Sequence, residues 1–231
     1  MLKVELHAHT AQDPCDYVPH TTRELIDRAS RLGYGALAIT LHNRHYDPAP
    51  DQAYAQARGL LLIQGIERTV ARRHVLLINF PKESEAVASF DDLRALKRRY
   101  PDGLVIAPHL FYPIPSAMRG DADRHADVID AVEVNSVFTG WLNFNERAVR
   151  WARANGKPLV GNTDLHLLEQ LGTTYTLVDV PSDAGANAIC AAIRGGRVEL
   201  RSTPLSTLRA VSIFGRMELF GRIGRLRRSP P

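Results

Sequence analysis

Apolar runs alternate with helix-forming stretches almost from the first residue of this 231-residue chain. That alternation is the pattern of βα units built around a largely parallel sheet. The strand candidates are Leu2 to Leu6, Ala36 to Thr40, Leu60 to Ile66, Val75 to Phe80, Leu104 to Ala107, Ala131 to Val134, Pro158 to Gly161, Tyr175 to Val180 and Val198 to Leu200. Helical patterns fall between them. Thr22 to Leu32 has Thr21 or Thr22 as N-cap and Gly33 as stop, and Phe90 to Tyr100 ends before Pro101. Asn143 to Asn155 is closed by Gly156, and Ala184 to Arg194 by Gly195 and Gly196. About seven such repeats in this length predict one α/β domain over residues 1–204, a distorted seven-stranded TIM-like (β/α) barrel.

The composition, 45% hydrophobic and 23% charged, is that of an ordinary soluble protein and excludes a disordered or fibrous chain. No apolar run approaches 18 residues, and the N-terminus enters a strand-like segment directly, so neither a membrane span nor a secretory signal is expected. Cys15 and Cys190 form no C-x-x-C arrangement and suit a reducing compartment, which makes the cytoplasm the expected location. Of the net charge of +4, the excess sits in residues 205–231, where six arginines face one acid, Glu218. The body is close to neutral. A separate basic, amphipathic C-terminal segment is therefore expected, with apolar Leu205, Leu208, Val211, Met217, Phe220, Ile223 and Leu226 near helical spacing. Packing of its apolar face on the barrel is the preferred reading; contact with an anionic membrane or RNA is the alternative.

Histidine and acidic residues gather at the ends of the apolar runs. His7 and His9 flank Ala8 at the end of the first strand candidate, and Asp164-Leu165-His166 repeats that spacing after Pro158 to Gly161. Side chains at i and i+2 leave a strand on one face, so each pair can aim two donors at one cation. His42, Glu67 and His109 follow further runs, and a hairpin would bring His74 back to Glu67. In a barrel, the C-terminal strand ends are where loops build an active site. A set of histidines and carboxylates without a convincing cysteine suits zinc, manganese or iron.

In these motifs the chain resembles the polymerase and histidinol phosphatase (PHP) family of metal-dependent phosphoesterases. The ordered motifs appear here as His7-Ala8-His9, Thr40-Leu41-His42, Glu67 with His74, Pro108-His109 and Asp164-Leu165-His166, over roughly residues 1 to 200. Leu41 and Glu5 stand where the family usually has aspartates. The resemblance implies two to three divalent ions (Zn, Mn or Fe) in a trinuclear site. One ion would take His7, His9, Glu67 and Asp164. A second would share Glu67 and add His74 and His109. A third would take His42, His166 and a ligand from the loop after His9, with Asp16 the first choice and Asp13 and His20 the alternatives. The implied activity is hydrolysis of a phosphomonoester or small phosphodiester, such as a nucleotide, an oligonucleotide end or a sugar phosphate, by a metal-activated hydroxide.

Glu67, Asp164 and Arg119 are the catalytic candidates, Arg119 because its loop after His109 is long enough to cover the site. Arg44, Arg68, Arg72 and Arg73 also lie near ligand positions, where a guanidinium can hold a phosphate bidentately. Glu133 and Asn135 are expected to support a ligand histidine, and Asp13 to be a solvated loop residue. His45 and His125 read as surface residues. Two other functions compete: an amidohydrolase-type metal enzyme, and a catalytically silent, metal-stabilised module that binds nucleic acid through its tail.

Overall fold

In the computed structural model, which describes residues 1–228 and the side chains of residues 1–220, the chain forms ten strands and seven helices. Strands β1 (Leu2–Ala8), β2 (Ala36–Ile39), β3 (Leu61–Ile63), β9 (Thr174–Val178) and β10 (Val198–Ser202) make one sheet in the order β10-β9-β1-β2-β3. Strands β4 (Gly65–Val70), β5 (Arg73–Ile78), β6 (Leu104–Ala107), β7 (Ala131–Asn135) and β8 (Leu159–Asn162) make the second, in sequence order. The helices are α1 (Thr22–Arg31), α2 (Ala49–Gln56), α3 (Phe90–Arg99), α4 (Asp121–Arg124), α5 (Asn145–Ala154), α6 (Ala186–Arg194) and α7 (Thr207–Arg228).

The mixed α/β class expected from the alternation is present, but in place of the distorted seven-stranded barrel the described residues form two five-stranded sheets with no closed barrel. Two local events account for the difference. The run Leu60 to Ile66 is not one strand: the chain pairs parallel with β2 through Ile63, then leaves at Gln64 to pair antiparallel with β5. The return into β5 is a tight turn at Ala71 and Arg72, whose φ angles of 46° and 70° are those of a hairpin turn that forbids an intervening helix. The sequence shows no Asn-Gly or Asp-Gly there, so the hairpin's turn chemistry was silent. β5 and β6 are antiparallel, as are β9 and its neighbours β1 and β10, so only β1-β2-β3 and β6-β7-β8 are parallel. Isolated bridges join the two sheets, His42 to Glu67 and Ala8 to Leu165.

Three apolar clusters hold these layers. Val4, Leu6, Ala38, Leu76, Ile106 and Val160 come from both sheets and meet between them, and Ile189, Cys190 and Ile193 of α6 join the same cluster. Asn187 of α6 bonds Asp102 just before β6, so α6 closes the end where the parallel strands begin. α1 covers the outside of the first sheet with Leu25 and Ile26 against Leu37 and Ile39, and α3 covers the second with Phe90 and Leu93 beside Val105 and Leu77. α1 begins at a Thr21 capping box with Glu24, and α3 at one between Ser89 and Asp92. α2 escaped the sequence reading because only Ala55 of its eight residues is buried, leaving no apolar stripe to detect.

The C-terminal segment forms α7, whose Ala210 and Ile213 pack on Leu167 and Leu205, with Met217 and Phe220 partly buried beside them. Ile223, Leu226 and the arginines at 222, 225, 227 and 228 lie outside the described side chains. No helix among the described residues is long and apolar enough to cross a membrane.

Candidate metal centre

A break in strand periodicity sets the orientation of the first two histidines. Val4 and Leu6 point into the cluster between the sheets, and strict alternation would send Ala8 the same way and His7 outward with Glu5. Instead Ala8 packs outside, beneath α1, because the β1–β2 register slips between Glu5 and Ala8. This bulge turns His7 and His9 inward. His42 follows β2. In the hairpin, Thr69 pairs with His74, so Glu67, two residues from Thr69, shares the face of His74. His109 and Asp164 follow β6 and β8 with positive φ values of 32° and 49°, strained conformations of the kind that gather at functional sites.

The elements converge on Glu67. Its Oε2 lies 3.3 Å from His7 Nε2, 3.3 Å from His9 Nε2 and 3.1 Å from His42 Nε2. Its Oε1 lies 2.7 Å from His74 Nδ1 and 3.2 Å from His109 Nε2. Asp164 Oδ1 lies 3.3 Å from His7 Nε2 and 3.5 Å from His9 Nε2. On the far side of His9, His166 Nε2 comes within 3.2 Å of Asp16 Oδ2. His9 stacks between His42 and His166, with both ring centroids 4.4 Å away.

A surrounding layer of acceptors holds these rings. His7 Nδ1 bonds Glu133 Oε2 at 2.7 Å, and Glu133 also accepts from His109 N, Asn135 Nδ2 and Asn162 Nδ2. Asp13, which the sequence reads as a solvated loop residue, is instead enclosed by the histidines. Its side chain is buried, and Oδ2 lies 2.8 Å from His9 Nδ1 and 3.0 Å from His42 Nδ1. Its Oδ1 accepts the backbone N–H groups of Cys15 and Asp16. His166 Nδ1 meets the Asp164 carbonyl at 3.0 Å. Four imidazoles thus spend Nδ1 on an acceptor, which leaves Nε2 with the lone pair a metal needs.

Burial opposes charge on Glu67, but the imidazoles of His74, His42 and His7 outweigh it and hold the carboxyl well below its ordinary range. Burial is likewise overcome at Asp164 and Glu133, where His7 is the leading partner, and at Asp13, where His42 and His9 are. The same carboxylates push His7 and His9 up against the desolvation that lowers them. Glu5 differs: burial pushes it up to about 8, although it accepts from His7 N and from both Thr163 donors. His20 is driven down to about 4 by burial, and its Nε2 is spent on the His9 carbonyl at 2.9 Å.

The donor set fits divalent cations. His7 Nε2, His9 Nε2 and Glu67 Oε2 are buried without a hydrogen-bond partner although they face one another, an arrangement that is costly unless something bridges them. Among the described residues, three groups have donor atoms within 4.8 Å of one another: His7, His9 and Asp164; His42, Glu67 and His74; His9, His42 and His166. Above them opens a cavity of about 310 Å³, lined by ligand-type residues and by Ile114, Phe214, Met217 and Glu218.

Arg119 lies outside this cavity: its guanidinium meets the Tyr112 carbonyl at 3.3–3.4 Å, and the His109 loop contributes Ile114 instead. Arg68 is engaged by the Val87 carbonyl and Asn43, Arg73 by Asp121, and Arg44 by the Gln12 carbonyl; Arg72 is exposed in the hairpin turn. His45 and His125, read as surface residues, are partly exposed, the first bonded to the Phe80 carbonyl and the second stacked on Phe90 at 3.7 Å. Both lie apart from the cavity. The signal for α7 is present in the sequence as helical spacing, but nothing in the sequence places Phe214 and Met217 beside the clustered histidines and carboxylates.

The family described as PHP-associated (PHP_C) matches residues 143–198. No curated protein matches the chain. Among solved structures, PsfC from Pseudomonas syringae PB-5123 is similar with a TM-score of 0.69 at 16% identity, over 96% of this chain and 98% of that one. A two-domain protein from Bacteroides vulgatus containing a predicted PHP-like metal-dependent phosphoesterase is similar with a TM-score of 0.63 at 19% identity, over 94% and 69%. The lesion-specific endonuclease PfuEndoQ from Pyrococcus furiosus is similar with a TM-score of 0.56 at 16% identity, over 92% and 66%.

Proposed function

We propose that this chain, a member of the PHP family, is a metal-dependent phosphoesterase acting on a phosphomonoester or small phosphodiester. The observation that carries the reading is the set of imidazoles whose Nδ1 atoms are tied to acceptors while their Nε2 atoms converge on Glu67 and Asp164. His7, His9, Glu67 and Asp164 would hold one ion; Glu67, His74 and His109 a second; His42, His166 and Asp16 a third. Zinc, manganese and iron suit these ligands. Bound there, divalent ions supply a nucleophile at neutral pH and neutralise phosphoryl charge.

The chain's own residues provide the positioning. Glu133 and Asp13 fix the tautomers of His7, His9 and His42. The buried floor excludes water from His7 and His9, so fixed charges act at low dielectric. Asp16, beside His166 at the cavity wall, favours a D-x-H site extended by a further acid over an amidohydrolase arrangement.

The test is metal content per chain on protein purified without chelator, paired with turnover of p-nitrophenyl phosphate and bis-p-nitrophenyl phosphate in manganese and in zinc. Two to three ions with turnover are expected, and the preferred ester separates monoesterase from diesterase. Full activity in a His7→Ala/His9→Ala double variant would overturn the reading.

A further inference from the structure

We infer that the outer face of α7, with the loop at Trp141 and Leu142, docks on an anionic phospholipid surface; the inference is independent of the phosphoesterase reading. α7 carries apolar residues on two opposite sides. Ala210, Ile213, Met217 and Phe220 recur at helical spacing on the side that packs against Leu167 and Leu205. Leu208, Val211 and Leu219 stand at i, i+3 and i+11 on the other side, within about 80° of one another, and are 85%, 67% and 53% exposed. Among the described residues the other exposed large apolar side chains are Phe214, Trp141, Leu142 and Met1. All but Met1 thus lie on α7 or on the loop bonded to its start, where the Trp141 indole donates to Thr207 Oγ1 at 3.1 Å and Leu205 N to the Phe138 carbonyl at 2.8 Å. Apolar side chains exposed singly need no partner, but a group gathered on one face marks an interaction surface.

Charge selects the occupant. Residues 205–231 carry six arginines against one acid in sequence. Arg216 pairs with the Glu169 carboxylate and Arg209 bonds the Glu169 carbonyl, yet the segment keeps a formal positive excess. Exposed Arg150 and Arg153 line a cavity of about 370 Å³ together with Phe138 and Asn143 of the loop that bears Trp141, and Glu146 lies 3.8 Å from Arg150. Basic residues around an apolar face suit a bilayer with anionic headgroups, because aliphatic side chains enter the acyl boundary while cations meet lipid phosphates. Nucleic acid would satisfy the arginines but offers nothing to Leu208, Val211 and Leu219, which cannot stack on bases. A second copy would cover those side chains, but a two-fold pairing of α7 with itself sets arginine-rich segments against each other. No helix among the described residues is apolar enough to cross a bilayer, so α7 lies on its surface. Phe214 belongs both to the exposed face and to the cavity lining, so the docked bilayer borders the candidate metal centre.

The test is sedimentation of the full-length protein with vesicles of phosphatidylcholine alone and of phosphatidylcholine mixed with phosphatidylserine. Binding to the mixed vesicles is expected to be roughly tenfold tighter or more, and to weaken as salt is raised. Leu208→Ser/Val211→Ser should weaken it by roughly tenfold or more; because both positions are exposed, the thermal melt and turnover of p-nitrophenyl phosphate should match the parent. A second measurement follows tryptophan emission, which should shift to the blue when mixed vesicles are added to the parent and stay unshifted in Trp141→Phe, where Trp151 remains. Equal binding of the parent and the double variant, equal binding to the two vesicle types, or an emission shift retained in Trp141→Phe would overturn the assignment. So would tighter binding of polyuridylic acid than of mixed vesicles, or a dimer in sedimentation equilibrium that Leu208→Ser/Val211→Ser converts to monomers.

Discussion

Asp13 shows how much a single buried carboxylate can organise. One oxygen spans His9 Nδ1 and His42 Nδ1, and the other gathers two backbone N–H groups of its own loop. Replacing it by alanine removes the acceptor that fixes two tautomers without removing a proposed ligand. Metal affinity in Asp13→Ala is expected to fall by about 10–100-fold, read by competition with a chromophoric chelator, while far-UV circular dichroism stays unchanged. Unaltered affinity would show that the rings orient without it. His20 carries a pH effect of known sign. Its native value of about 4 lies below the ordinary 6.5, so the unfolded chain binds the proton more readily. The associated stability is full above pH 6.5 and is lost as pH falls toward 4. Glutamine keeps a donor for the His9 carbonyl but does not titrate, so His20→Gln should lose less stability across that window in urea melts; matching slopes would contradict the assignment.

At the scale of elements, the seam between β8 and the first sheet leaves no space for a side chain at Gly161. A Cβ there would lie 2.5 Å from Leu200 Cδ1 and 2.9 Å from both Thr174 Cγ2 and the Tyr175 carbonyl oxygen. Gly161 N and O also bond Thr176 Oγ1 at 2.8 and 3.1 Å, so the backbone cannot easily retreat. Gly161→Ala is therefore expected to cost about 1–3 kcal/mol, and a thermal melt unchanged from the parent would contradict the packing. The same seam carries Asp164 and His166 into place beside β1 through the Ala8–Leu165 bridge. A strained seam should lower metal affinity as well as stability.

At the scale of the whole molecule, α7 and the proposed metal ligands form one connected structure. Deleting residues 205–231 would expose Leu167 and strip a wall from the cavity. The truncated chain is expected to melt several degrees lower and to be less soluble; a tail that serves only for docking would leave both unchanged. Metal removal acts globally, because ions that bind only the folded chain stabilise it by mass action. Chelator-treated protein should melt lower than the manganese-loaded form, and an identical transition would argue against ligation by the folded core.

Local sequence determined the donor chemistry and its place at strand ends, because a strand's period and a short H-x-H or D-x-H spacing are properties of adjacent residues. His7, His9, His42, Glu67, His109, Asp164 and His166 were legible in that way, and the α/β class followed from the alternating runs. What tertiary structure alone decided depends on contacts distant in sequence. The slip in β1 that turns His7 inward reflects its register against β2; Asp13 is buried only because His42 comes from another strand; and Glu133 reaches His7 across 126 residues. The change of sheet at Gln64 and the placement of Phe214 and Met217 above the cavity are of the same kind. Periodicity tells which way a side chain leaves its own backbone; only the packed neighbours determine what it meets there.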